Sequence, residues 1–186
     1  IMRTHVWMTS SFAVVALLTL SGALRSQVQE QARLVAMDLP PNEAFAYNVA
    51  VSGDTAVVGA YGDNPGGIVD AGSVYVFARS GTAWVQQAKL VAGDATLEDS
   101  FGIGVAIDGD TVVVGAFLDD PSGQNNAGSA YVFVRSGGIW TEQAKLVASD
   151  AAANDLFGWR VASSGDTAIV AAVDAGFQAG AAYVFV

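Results

Sequence analysis

One spacing constrains this chain more than any other property. The triplet Gly-Asp-Thr begins at Gly53, Gly109 and Gly165, and the run Gln-Ala-Lys/Arg-Leu begins at Gln31, Gln87 and Gln143, so both return every 56 residues. The run Tyr-Val-Phe begins at Tyr75, Tyr131 and Tyr183, where the second interval shrinks to 52. The slip places a four-residue deletion between Ala171 and Ala181 and marks that segment as a loop, because loops absorb deletions that strands cannot. Three copies of a unit this long account for nearly all of the chain, so its size is set by repeat number rather than by one continuous core.

Within each copy the same four strands can be read. Residues 84–92 and 140–148 open with Trp84 and Trp140 and alternate in part, and residues 27–36 match them, so all three are expected as strands. An acidic connection follows each. Next comes a strand of small residues at 47–52, 102–108 and 158–163. Gly and Ala are poor strand formers, so a strand built from them implies neighbouring backbones that leave no room for larger side chains. The Gly-Asp pairs then make tight hairpins into runs at 56–60, 112–116 and 168–172, which lack polar alternation and must be covered on both faces. A variable loop leads to the fourth strand, 72–78, 128–134 and 180–186, with large residues on both sides. Antiparallel strands apolar on both faces, in a sheet repeated along the chain, describe blades stacked on blades. The expected fold is all-β: a partial β-propeller of about three four-stranded antiparallel blades, the last incomplete.

The residues carrying the repeat, Phe101-Gly102, Val114-Gly115-Ala116 and Gly128-Ser129-Ala130-Tyr131-Val132-Phe133, resemble the FG-GAP repeat of integrin α-subunit propellers and of related bacterial extracellular proteins. The third copy matches at Phe157-Gly158 and the first at Phe45-Ala46 and Val58-Gly59-Ala60. The resemblance implies a seven-bladed ring and a ligand-docking face. It also implies a calcium loop of the type Asp-x-Asp/Asn-x-Asp-Gly-x-x-Asp before the GAP strand, but here that connection is reduced to the Gly-Asp turn. Asp108 and Asp110 cannot supply the six to eight oxygens that Ca²⁺ takes. No cofactor is therefore expected, and Ca²⁺ could be held only weakly by other acidic loops.

Blades are expected over residues 45–100, 101–156 and 157–186, with residues 24–44 supplying an outer strand and a loop. Three blades do not close a ring. Either the chain is part of a larger propeller, or copies exchange the loose strand of residues 27–36 and close a ring together.

Composition narrows the partners. Eighteen acidic residues against eight basic ones give a net charge of −10, which repels nucleic acid phosphates and anionic lipid. There is no cysteine, hence no disulfide or thiolate metal site. Arg3 and His5 precede an apolar run at residues 12–20, followed by Ser21-Gly22-Ala23. This reads as a secretory signal over residues 1–23, and the run is shorter than the about 20 residues that span a bilayer. The expected location is secreted, periplasmic or cell surface, with no membrane insertion after cleavage. His5 is the only histidine, so beyond the signal no imidazole is left for a Ser-His-Asp arrangement or a zinc site.

The connections before the small-residue strand and after the GAP strand should share one face, and they hold most of the acidic residues and no Lys or Arg. Asp63, Asn64 and Asp70 in one loop, and Asp119, Asp120 and Asn125 in the next, are the best oxygen clusters for a ligand. The same residue types also serve turns by bonding nearby amides, and they keep an apolar protein soluble. The expected function is a secreted or surface-displayed, non-catalytic propeller module that binds or scaffolds an extracellular protein or glycan, a cationic partner suiting the face best. The alternative is an accessory propeller portion of a larger extracellular enzyme whose catalytic domain lies elsewhere.

Overall fold

Each Gly-Asp turn folds a strand pair, and each pair is extended outward into a sheet. The computed structural model describes residues 29–186. Strands β1 (Phe45–Ser52), β2 (Thr55–Ala60), β3 (Ser73–Ser80) and β4 (Ala83–Leu90) form the first sheet in sequential order. Strands β5 (Gly104–Asp108), β6 (Thr111–Ala116), β7 (Ser129–Ser136) and β8 (Ile139–Leu146) form the second. Strands β9 (Phe157–Ser164), β10 (Thr167–Ala172) and β11 (Ala181–Phe185) form a third, three-stranded sheet. All pairings within the sheets are antiparallel. The two-residue turns close on Ser52–Thr55, Asp108–Thr111 and Ser164–Thr167, with the glycine at positive φ. The architecture is the all-β partial propeller that the repeat implies. The deleted segment is the shortened connection between β10 and β11, folded into a helical turn at Ala175–Gln178.

The cores lie between sheets. At the first joint Val57, Val74, Val76 and Leu90 meet Val105, Ile107, Val112 and Val114, with Phe101 fully buried among them. At the second, Val113, Ala130 and Ala148 meet Phe157, Ala168, Val170 and Ala172. Each Phe that opens a repeat stands edge-on to the Tyr of its own sheet. The ring centroids are 5.7 Å apart for Phe45 and Tyr75, 5.5 Å for Phe101 and Tyr131, and 5.4 Å for Phe157 and Tyr183. Such pairs add roughly 0.5–1.5 kcal/mol to area burial.

The small-residue strand has the crowding that its composition implies. A methyl group on Gly59 would overlap the carbonyl of Gly102, and one on Gly115 would overlap the carbonyl of Gly158, so successive sheets meet glycine to glycine. Trp159, where the other repeats have Ile103 and Tyr47, lies edge-on to Phe117 at 4.5 Å.

The signal assigned to residues 1–23 lies outside the described residues. A correction concerns residues 27–36, expected as a strand: their described part, residues 29–36, forms no ladder. The matching strands β4 and β8 are each paired to the third strand of their own sheet, and among the described residues no such strand precedes this segment. Leu34–Val186 form one compact unit. Within it Leu34, Ala36 and Leu39 cover Val58, Tyr75 and Phe77, as Leu90, Ala92 and Ala95 do one repeat later. Among the described residues no helix is long and apolar enough to cross a membrane.

Candidate binding face

Two sets of connections meet at one end of the blades and are stitched together across each joint. The amides of Glu98, Ser100 and Phe101 donate to the carbonyls of Val69, Asp70 and Ala71 at 2.9, 3.0 and 2.9 Å. One repeat on, Asn154, Leu156 and Phe157 donate to Asn125, Asn126 and Ala127 at 2.8, 3.2 and 2.9 Å. Asp70, Glu98, Ser100, Asn126 and Asn154 take positive φ to make these bridges, a conformation that Asn and Asp tolerate best. Arg79 and Arg135 stand on the opposite end and pair with Asp54 and Asp110 of the Gly-Asp turns.

Beneath the stitched loops lie two equivalent polar clusters. Asp63 is 3% exposed and Asp119 is 4% exposed. Ser73 donates its hydroxyl to Asp63, and Ser129 donates to Asp119. Lys89 reaches from β4 to Asp63 at 2.7 Å and Asp38 at 3.1 Å. Lys145 reaches from β8 to Asp119 at 2.8 Å and Asp94 at 2.7 Å. Both ammonium groups lie 5.2 Å from a tyrosine ring centroid, of Tyr75 and Tyr131. Burial works against the charge on both lysines, but the paired aspartates outweigh it and raise their pKa. Burial likewise disfavours the Asp94 carboxylate, yet Lys145 and the Tyr131 hydroxyl, which donates to it at 2.8 Å, hold it below the usual range. Burial pushes the Tyr75 hydroxyl up to about 12 and raises Tyr131 further. Asp99, buried beside this cluster, is raised by desolvation although Thr96 donates to it twice.

The residues singled out from the sequence therefore divide. Asp63 and Asp119 are withdrawn into ion pairs. Asn64 and Asp70 sit together in a turn, where the Asp70 amide donates to Asn64 Oδ1 at 2.6 Å and the Asn64 amide to Asp63 Oδ1 at 2.9 Å. Asp120 accepts the Asn126 amide at 2.7 Å, while the Asn125 side chain is exposed. Asp70 and Asp120 keep carboxylate oxygens facing solvent. Lys89 and Lys145 were missed. Their signal was the recurrence of Gln-Ala-Lys-Leu with an aspartate five positions on, at Asp94 and Asp150.

The third repeat breaks the pattern. The Gly180 amide donates to the Ala175 carbonyl at 2.9 Å, as Gly128 does to Asp119, so Ala175 holds the place of the buried aspartate. Ala181 holds the place of Ser129 in the register with β10. Beside Ala175 lies a cleft of about 410 Å³ edged by Asp150, Asp155, Asp174 and Tyr183. The Tyr183 hydroxyl donates to Asp150 at 2.8 Å, and that bond, with some burial, pushes it up to about 12.

The Gly-Asp turns do not fit calcium. Asp108 accepts the Gly165 amide at 2.6 Å and Asp110 is held by Arg135, which leaves too few oxygens on one side of the turn. Among the described residues no three His, Cys, Asp or Glu side chains converge as a metal site requires.

A family model described as FG-GAP repeat matches the chain three times, over residues 28–77, 84–133 and 140–185. Each match starts near the segment that covers the next sheet and ends on the strand bearing Tyr-Val-Phe. No curated protein matches the chain.

Proposed function

This chain belongs to the FG-GAP repeat family, and from that premise we propose that it is a non-catalytic propeller module, secreted or displayed at the cell surface, that docks a cationic protein partner on its acidic loop face. The observation that carries this reading is the stitched loop face, where Asp70 and Asp120 keep exposed carboxylates while Arg79 and Arg135 stand on the opposite end. In the first two repeats, a lysine fills the space between the acidic connection and the tyrosine strand. In the third, Asp150, Asp155 and Asp174 edge a cleft on the same face, with Tyr183 at its side. The internal lysines are templates for what it takes: an ammonium or guanidinium on an apolar stem, lying against the tyrosine and bonded to carboxylates. The exposed carboxylates of Asp70 and Asp120 extend the negative field along the same face and would speed encounter.

Calorimetric titration with a lysine-rich peptide tests this. Binding is expected at low salt, weakening as salt rises, and dropping at least about tenfold, worth roughly 1.4 kcal/mol, in the Asp150→Asn/Asp174→Asn variant. The Asp54→Asn/Asp166→Asn variant removes equal charge from the opposite end and is expected to bind normally. Equal loss in both variants would reduce the interaction to net charge and remove the reading.

A further inference from the structure

On the loop face, the joint between the first and second sheets and the joint between the second and third share one backbone and carry different side chains. At the first, the amides of Glu98 and Ser100 bond the carbonyls of Val69 and Asp70; at the second, those of Asn154 and Leu156 bond Asn125 and Asn126. The backbone angles match as closely as the bridges. Ile68 has φ and ψ of −83° and 111°, and its counterpart Gln124 has −85° and 105°. Asp70 and Asn126 take φ of 51° and 52°, and Glu98 and Asn154 take 65° and 67°. The bridges use main-chain atoms alone, so neither the turn nor the docking of one repeat on the next dictates these side chains.

At five matched positions the two joints nevertheless differ throughout. The second carries Gln124, Asn125 and Asn126 against Ala153 and Asn154, whereas the first carries Ile68, Val69 and Asp70 against Leu97 and Glu98. Ile68 is 36% exposed, Val69 51% and Leu97 61%, and the bridge from Glu98 to Val69 sets the Leu97 segment beside the other two. One exposed aliphatic residue is ordinary, but three gathered on one joint and absent from its counterpart mark a contact surface. Asp70 and Glu98 are exposed at its margin, and among the described residues neither is in an ion pair.

We propose that Ile68, Val69 and Leu97 are the apolar centre of the docking site, and that its occupant is a protein segment presenting aliphatic side chains between lysines or arginines. The assignment rests on the acidic-face reading above and specifies what the partner brings to it. Apolar contact at the centre excludes water, while Asp70 and Glu98 meet the flanking cations at the rim. Charge selects this occupant: a second copy of a chain with net charge −10, or an anionic lipid surface, would bring like charge against the same two carboxylates.

Two labelled peptides of equal length and charge, Lys-Lys-Leu-Leu-Lys-Lys and Lys-Lys-Ser-Ser-Lys-Lys, separate the apolar from the ionic contact when titrated by fluorescence anisotropy at low salt. The leucine peptide is expected to bind about tenfold more tightly, in line with partial burial of its leucines. Ile68→Gln/Val69→Asn/Leu97→Ala installs the side chains that the same backbone carries at the second joint. It is expected to melt like the wild type and to bring the leucine peptide down to the affinity of the serine peptide, with Leu97→Ala alone losing part of the preference. Asp70→Asn/Glu98→Asn is expected to weaken both peptides together, and no loss there would overturn the assignment of the rim. Equal binding of the two peptides by the wild type, or an undiminished leucine preference in the triple variant, overturns the inference and leaves the acidic-face reading standing. Binding of neither peptide removes both. Self-association of the wild type in sedimentation velocity that the triple variant loses would make the occupant a second copy, and likewise overturns it.

Discussion

The second and third repeats share a backbone plan but handle the same buried corner in opposite ways. The second fills it with Asp119, Ser129 and Lys145, while the third has a buried Ala175 and an exposed Ala181 in place of the aspartate and serine. In the second, an acidic loop is neutralised from below by a lysine that arrives on a neighbouring strand. In the third, Asp150 and Asp174 line a cleft, and the Tyr183 hydroxyl donates to Asp150. A pair of alanines thus stands where the second repeat builds a buried carboxylate and its hydroxyl donor.

The comparison is broken most directly at Asp119. Asp119→Ala leaves the Lys145 ammonium against Tyr131 without its buried partner and is expected to cost about 3 kcal/mol in chemical denaturation, while Asp174→Ala in the third repeat is expected to stay within about 0.5 kcal/mol. Adding Lys145→Met to Asp119→Ala should recover much of the loss, because the apolar stem is kept and the stranded charge is gone. Equal costs for Asp119→Ala and Asp174→Ala would mean that the two corners do not differ as described.

A smaller effect is expected at the serine. Ser129→Ala imitates the third repeat and removes one donor from a buried carboxylate, for an expected loss of roughly 1–2 kcal/mol; Ala181→Ser, with no aspartate to receive it, should gain nothing. Thermal melts of the two variants provide the check.

The pH dependence sharpens the contrast further. Asp94 is held below its unfolded value of about 3.9, so its contribution is complete above that pH and is lost as pH falls through the folded value. Asp99 is raised, so its burial penalty is full at neutral pH and is relieved on acidification. Asp94→Asn should therefore flatten the fall in stability below about pH 4, and Asp99→Asn should steepen it, both read from denaturation midpoints against pH. Smallest of all, Asp110→Asn removes an exposed partner of Arg135 at the far end and is expected to cost less than about 1 kcal/mol.

Much of the fold could be read from the sequence because the repeat makes each copy a check on the others. The three Gly-Asp turns, the small-residue strands and the shortened connection all sit where 56-residue phasing put them. The acidic loops were also found, but the state of their carboxylates was not. Lys89 and Lys145 stand in strands whose alternation reads as solvent-facing, and nothing in that pattern says that a long flexible stem turns under the neighbouring loop. Asp63 and Asp120 look alike in the sequence, yet one is buried beneath a lysine and the other caps a turn at the surface. The strand expected before the first sheet failed for a different reason. A strand is a property of a pair, and residues 29–36 match their counterparts in side chains but have no partner strand among the described residues.

The stitched loops also bear on how the chain folds. Phe101 bonds a carbonyl at residue 71 and Phe157 one at residue 127, so the bridge that docks each repeat closes a loop of constant, modest length however many repeats precede it. Contact order stays local, and the search that each repeat makes does not grow with the array. A repeat emerging from the ribosome meets a finished template only one unit back, which favours folding in sequence from the first sheet onward rather than by collapse of the whole chain.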